Sequence, residues 1–421
     1  MAANVDWLAR LKAVECRDAT ASLGDPSLVM SRASGCHVFD AEGRPFIDLC
    51  AGFGVLALGH ASSVQRRVFS QYATGIAPPI VHGMGDVYAT DSKVALIEDL
   101  LRLLPRSFTK AALALTGSQA VEIAVKTSML ATGRAGFITF QGGYHGLDLG
   151  ILPLTSRSDF RAPFEKFLPV GRVATLPFQA DSQSLERAVD ELAKVGGIAA
   201  VIVEPIQGRA GVRSAGVPWL KELRDFCDRH GALLIYDEVF TGLGRTGRLT
   251  FAAEVPCDLL CLGKALGGGL PLSACVGTER AMDAWPESQG EALHTGTFFG
   301  HPMSCAMASE TLRELVALEL PARAARLGGT FKKRLTELLG HHPAVKSIRG
   351  EGLMLALELR KPGDGVLLMN SLRARGVIAL VSGENGDCLS FTPPLVIEES
   401  LLNEALAKVV ECLNEPAFRP R

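Results

Sequence analysis

An α/β fold, with a mostly parallel sheet in a large domain and a smaller α+β domain beside it, follows from three features of this 421-residue sequence. Short apolar runs alternate with amphipathic stretches through the middle of the chain. After about residue 310 that alternation gives way to a long helical pattern and then a strand-like run. No internal repeat or Gly/Ser linker separates the parts, so the domains pack against each other. With 48% apolar and 21% charged residues the chain can bury a continuous core. The expected division is 1–60 as an N-terminal segment of the small domain, 61–310 as the large domain and 311–421 as the C-terminal part of the small domain.

The elements follow in order. HVFDAEGRPFIDL (37–49) reads as a hairpin turned by Glu42 and Gly43, on the small-domain side. AALAL (111–115), AAVIVEP (199–205), ALLIYDEV (232–239) and CDLLCLGKA (257–265) read as buried strands. Between the last three, residues 218–230 place Trp219, Leu220, Leu223, Phe226 and Cys227 on one helical face, and Gly231 ends the helix. That makes a β-α-β unit, whose ligands bind beyond the C-terminal ends of the strands. Further on, one long helix is expected over 310–339, a strand over 352–359, and helices near 364–375 and 398–413.

Charge and cysteine usage exclude several classes. Lysine plus arginine (43) nearly balances aspartate plus glutamate (45), so a nucleic-acid partner is not expected. The ten cysteines are scattered, the closest pair being Cys257 and Cys261, and no metal-ligand or disulfide spacing appears. The N-terminus carries Asp6 and no signal-like apolar run, and no segment approaches the roughly 20 apolar residues of a membrane span. The expectation is a cytoplasmic protein with no membrane or metal partner.

Three reactive side chains stand just past apolar strands: Glu204, Asp237 and Lys264, separated by 33 and 27 residues, about one β-α-β unit each. A single lysine at a strand end is ordinarily a surface residue, but with two acids on the same sheet edge it becomes a candidate Schiff-base amine. Asp237 suits the aspartate that keeps a pyridinium nitrogen protonated. TGSQA (116–120) follows a strand and opens an amphipathic helix, an arrangement suited to a phosphate. Ser118 is there either an anion ligand or a helix cap. GGYHG (142–146) sets Tyr144 in a glycine-rich turn suited to stacking on a flat ring. GLGRTG (242–247) matches a dinucleotide fingerprint, but RLTFAAEVP after it is a poor helix and no acidic residue follows at the required distance, so that reading is rejected.

Seven ordered motifs then carry a resemblance over nearly the whole chain: IDLCAGFGVLALGH (47–60), TGSQAVEIAVK (116–126), GGYHG (142–146), EPIQG (204–208), DEVFTGLGRTG (237–247), LGKALGGGLPL (262–272) and HTGTFFGHP (294–302). The sequence resembles the class III, fold type I aminotransferases, the group of ornithine, 4-aminobutyrate and ω-amino acid transaminases. The resemblance implies a seven-stranded sheet flanked by helices, a small domain built from both termini, and pyridoxal 5′-phosphate as cofactor. It implies that Lys264 carries the cofactor as a Schiff base and shuttles the substrate proton, and that Asp237 pairs with the pyridine nitrogen. Val239 and Tyr144 would pack on opposite ring faces, Gly117 and Ser118 would hold the phosphate, and His145 and Glu204 would complete the cofactor site. Thr297 would reach the phosphate from a second subunit, which implies a homodimer with shared sites, with pairing into tetramers left open. The reaction implied is ping-pong transfer of an amino group from an amine donor to a keto acid or aldehyde. An aminomutase, racemase or decarboxylase using the same cofactor is the second reading, and a non-catalytic cofactor-binding protein the third.

The chain departs from that pattern around the substrate. Ser390 stands where relatives acting on α-amino acids place a carboxylate-binding arginine, and Arg209 where they place its glutamate partner. Phe53 replaces a frequent tyrosine, and Phe240 a glutamine. Arg209 is either a carboxylate receptor on the opposite wall or a solvent-facing arginine. The two phenylalanines make the pocket more apolar.

Overall fold

The computed structural model describes residues 2–20, 28–76, 81–85, 87–169 and 171–418. Its centre is a seven-stranded sheet made of β1 (Phe108–Ala114), β2 (Gly136–Phe140), β3 (Val173–Leu176), β4 (Ile198–Val203), β5 (Leu233–Asp237), β6 (Leu259–Leu262) and β7 (Ser273–Thr278). The spatial order is β1-β7-β6-β5-β4-β2-β3. All neighbours run parallel except β7, which is antiparallel to both β6 and β1. The expected mostly parallel, seven-stranded sheet is therefore present.

Both faces of this sheet are covered, which is why β4 and β5 read as continuous apolar runs. Alternate residues serve different cores: Leu234 and Tyr236 of β5 enter one apolar cluster, Leu233 and Ile235 the other. Helix α1 (Gly117–Thr132) packs on one face and helix α2 (Val217–His230) on the other. In α2 the predicted stripe from Trp219 to Cys227 is buried, and Gly231 ends the helix in the left-handed conformation at φ 61°. Trp219 packs edge-on against Phe140 at 4.8 Å and donates its Nε1–H to the Ala180 carbonyl, fixing the helix to the sheet.

The single helix expected over 310–339 is two helices, α3 (Pro302–Ala317) and α4 (Leu320–Leu339). Apolar periodicity runs through both, but Glu319 adopts a left-handed φ of 46°, and Pro321, which lacks an N–H, suits the first turn of α4. The hairpin at the N-terminal side is as expected. Asp40 Oδ1 accepts the N–H groups of Glu42 and Arg44, both at 2.9 Å, and Gly43 takes φ 82° in the turn. Strands Met30–Ser34, His37–Asp40 and Pro45–Asp48 are joined by Val377–Ile378 from the far end of the chain in one four-stranded sheet. A second four-stranded sheet holds Val345–Glu351, Met354–Leu359, Cys388–Phe391 and Leu380–Ser382. Among the described residues no helix is long and apolar enough to cross a membrane, and no cluster of His, Cys, Asp and Glu could hold a metal ion.

Candidate active site

Strands β4, β5 and β6 lie side by side, with Tyr236 opposite Val203 and Asp237 opposite Cys261. Register therefore brings Glu204, Asp237 and Lys264 to one edge of the sheet, as their sequence spacing predicts. All three line a cleft of about 470 Å³ together with Phe53, Gly117, Ser118, Tyr144, His145, Arg209 and Val239. Phe240, Val55, Leu115, Leu147 and Leu272 give the cleft apolar walls.

The polar groups at its floor are tightly held. Asp237 is 5% exposed; its Oδ2 accepts from His145 Nδ1 at 2.8 Å, and its Oδ1 from the Val239 amide at 3.2 Å. The His145 amide in turn donates to Thr155 Oγ1 at 3.0 Å, so the imidazole is fixed behind the carboxylate. Glu204 accepts the Tyr144 amide at 2.8 Å and the Gly208 amide at 3.3 Å. Burial is the main cause that pushes the Glu204 carboxyl up to about 7; neighbouring His145 opposes the rise and Asp237 adds to it. Burial likewise pulls the Lys264 ammonium below its ordinary range, against the attraction of Asp237 and Glu204. An amine whose proton is loosened in this way can act as a nucleophile and as a proton carrier. Lys264 also sits at φ 45°, a conformation that costs a non-glycine residue about 1–3 kcal/mol and concentrates at functional sites.

Helix α1 begins at the rim of the cleft. Its cap is Thr116, whose Oγ1 accepts the Gln119 amide while Gln119 returns a bond to the Thr116 amide. Ser118 is therefore not the cap, and its hydroxyl accepts the Asp148 amide at 3.4 Å instead. With the cap satisfied elsewhere, the amides of Gly117 and Ser118 are the open donors of the helix start. Two glycines keep that cradle open: a Cβ on Gly117 would come 2.7 Å from Val239, and one on Gly146 would come 2.4 Å from Ser118 Oγ. A buried lysine, a buried aspartate and open amides at a helix start form the donor set that an aldehyde-bearing, pyridine-ring phosphate requires, so the residues present fit pyridoxal phosphate.

The wall opposite is aromatic and strained. Ala51, Gly52, Phe53 and Gly54 follow one another at φ 50°, 58°, 58° and 83°, a left-handed turn that presents Phe53 to the cleft. Lys264 Nζ lies 4.2 Å from the Phe240 ring centroid, and Gly54 cannot carry a side chain because a Cβ there would approach Phe240 to 2.8 Å. Arg209 is half-buried on the cleft wall and, among the described residues, forms no ion pair with an acid. Its guanidinium stands over Tyr144 at 5.0 Å and within 5.8 Å of both Phe53 and Phe160. Tyr144 and Phe160 meet edge to face, with ring centroids 5.8 Å apart.

Ser390 and Thr297, the latter expected to act only from a second subunit, do not line this cleft. Ser390 lies on the strand Cys388–Phe391 and bonds the Ser382 hydroxyl. A serine has none of the reach that brings an arginine from this strand to a substrate. Thr297 is exposed and does not line the cleft of its own chain. Sequence reading missed Leu115, Leu147, Asp148, Leu272 and Phe160. Leu115 and Leu147 adjoin the quoted motifs and Leu272 closes one, but apolar neighbours carry no chemical signal; Asp148 lies two residues past GGYHG in no motif of its own, and Phe160 is brought in only by the fold. A larger cleft of about 630 Å³, between Lys110 and Trp285 at the β1 edge, gathers no comparable set of reactive groups.

Known proteins resemble this chain in sequence and fold. The profile of the family described as aminotransferase class-III matches residues 20–413. Acetylornithine aminotransferase of Methanopyrus kandleri is 36% identical over 383 residues, covering 90% of this chain and 92% of that protein. 5-Aminovalerate aminotransferase of Pseudomonas aeruginosa is 35% identical over 412 residues, covering 93% and 94%. Among solved structures, an ornithine aminotransferase of Toxoplasma gondii with pyridoxal phosphate at partial occupancy in its active site superimposes with a TM-score of 0.84 at 28% identity, covering 97% of this chain and 94% of that one.

Proposed function

The chain belongs to the class III aminotransferases, and from that premise we propose which residues carry its chemistry and what kind of donor it takes. It is a pyridoxal-phosphate-dependent transaminase, working on an amine donor and a keto acid acceptor. When bound, the cofactor supplies the electron sink that allows a proton to leave the donor carbon next to nitrogen.

Lys264 holds the cofactor and, with its basicity lowered by burial, takes that proton and returns it. Asp237, backed by His145, would face the ring nitrogen as a fixed negative charge. The amides of Gly117 and Ser118 hold the phosphate, with Thr297 of a second copy completing it. Val239 and Tyr144 would flank the ring, and Glu204 fixes the Tyr144 backbone.

The donor carries a carboxylate. The observation behind this is Arg209, a guanidinium among aromatic rings with no ion-paired acid among the described residues, on the wall of the Lys264 cleft. Apolar Phe53 beside that cation and Phe240 beside Lys264 suit the methylene chain of an ω-amino acid, the substrate type named for the 5-aminovalerate relative. Ser390 takes no direct part. The assembly is a homodimer. Exposed Met84, Val87, Tyr88 and Phe298 lie on two segments that meet through His82 and Phe298, beside Thr297, and such exposed apolar side chains suit contact with a second copy. Ten unpaired cysteines suit a cytoplasmic setting.

The test is the visible absorbance of the purified holoenzyme during addition of 5-aminovalerate and then 2-oxoglutarate or pyruvate. Transamination requires the cofactor band to bleach with the donor and return with the acceptor. Turnover without that cycle would move the assignment to a mutase, racemase or decarboxylase.

A further inference from the structure

The left-handed turn at 51–54 is costly for Ala51 and Phe53, so something must hold it. Asp48 does so from beneath. This carboxylate is 3% exposed; its Oδ1 accepts the amides of Cys50 at 2.8 Å and Ala51 at 2.9 Å, the two N–H groups that enter the turn. Its Oδ2 meets His60 Nε2 at 2.7 Å. His60 is itself tied down by a reciprocal backbone bridge to Gly35, 2.8 Å in each direction. From the other side Thr392 clasps the same turn, donating its amide to the Leu49 carbonyl at 2.8 Å and its hydroxyl to that of Cys50 at 3.2 Å.

What the turn carries is the donor side of the cleft. Phe53 faces Arg209, and Gly54 is the surface on which the Phe240 ring rests, while Phe240 lies over Lys264 Nζ. Neither Asp48 nor His60 lines the cleft. We propose that Asp48 and His60 are positioning residues that hold the turn 51–54, and through it Phe53 and Phe240, in the geometry that receives the donor. The proposal rests on the transaminase reading above only for its kinetic arm. Because the pair acts through wall position and not on the reacting atoms, its loss changes donor binding more than the chemical step.

The experiment compares His60→Ala with His60→Gln, whose amide nitrogen can stand where Nε2 does, in the holoenzyme. The first readout is amide hydrogen exchange over residues 50–57, which contain the Gly54 and Leu56 amides bonded to Cys50 and Ala51 carbonyls. Exchange should accelerate about tenfold in His60→Ala and stay near wild type in His60→Gln. The second is steady-state kinetics with 5-aminovalerate: KM should rise about tenfold in His60→Ala with kcat within about twofold, and His60→Gln should restore it. Adding Phe53→Ala to His60→Ala should bring a further KM penalty smaller than Phe53→Ala brings alone. Should the alanine variant not accumulate, His60→Asn, whose amide stops short of Asp48, replaces it. Unchanged exchange in His60→Ala, a glutamine variant as impaired as alanine, or strictly additive penalties with Phe53→Ala would each overturn the proposal. If 5-aminovalerate is no donor for the wild type, only the kinetic arm falls silent, and the exchange comparison still decides.

Discussion

The Arg209 guanidinium lies 5.0 Å from the centroid of the Tyr144 ring and, among the described residues, meets no carboxylate. Burial lowers its basicity, against the attraction of Tyr144, Asp159 and Glu204. An anionic substrate group would remove that disadvantage. Replacing Arg209 with alanine should therefore raise KM for 5-aminovalerate by about 10- to 100-fold, the value of a charge-assisted hydrogen bond. KM for n-pentylamine, which keeps the amine and chain and lacks the carboxylate, should change by less than about threefold. Equal effects on the two donors would remove Arg209 from substrate recognition.

Asp237 and His145 make the next prediction. Because His145 donates to the Asp237 carboxylate from behind, the two act as one unit. Asp237→Asn should lower kcat by about 100-fold or more while the cofactor stays bound, as expected for removing a fixed charge from a reacting ring. His145→Ala should cost less, since the charge remains and only its orientation loosens. Lys264→Ala should abolish turnover and the cofactor's visible band together. Absorbance and single-turnover kinetics of the three variants separate these outcomes.

The residues that carry charge or break helices were the legible part of this site. Glu204, Asp237 and Lys264 could be placed on one edge because parallel strands one β-α-β unit apart must bring their ends together. Arg209 could be noticed as a cation in an unusual place, but its aromatic surroundings could not, since Phe160 comes from a segment about fifty residues earlier that the fold alone brings near. The left-handed turn at Phe53 was hidden because φ > 0 at an alanine and a phenylalanine contradicts local preference and is imposed by Asp48 and Thr392. The break at Glu319 escaped for the same reason, periodicity passing through a point where the backbone does not. Ser390 lies outside the cleft lining, on the strand Cys388–Phe391, and position in a motif says nothing about reach.

Glu204 gives a pH prediction. Its carboxyl is raised from 4.5 to about 7, so the folded protein holds that proton where the unfolded chain has released it. Folding is accordingly favoured below the unfolded value and loses stability as pH rises from about 4.5 to about 7. The full difference is on the order of 3 kcal/mol at higher pH. Glu204→Gln does not titrate. In the cofactor-free protein its stability relative to wild type should therefore improve steadily between pH 5 and pH 8, measured by urea unfolding. A difference that stays flat with pH would mean that Glu204 is ionised throughout.

Thr297 tests the shared site. It is exposed, stands outside the cleft of its own chain, and follows the segment pinned to helix α1 where Lys126 Nζ meets His294 Nδ1 at 2.9 Å. If it completes the phosphate cradle of a partner, Thr297→Asp should weaken cofactor retention by placing a carboxylate against the phosphate, while Lys264 remains intact. Lys264→Ala fails for the opposite reason, with its Thr297 intact. Each variant alone should be nearly inactive, yet a mixed dimer holds one cleft with both defects and one with neither. Unfolding and refolding the two variants together in equal amounts should thus restore about a quarter of wild-type activity, since half the dimers are mixed and each has one sound cleft. No recovery from the mixture, with mixed dimers confirmed by mass, would show that each chain builds its phosphate site alone.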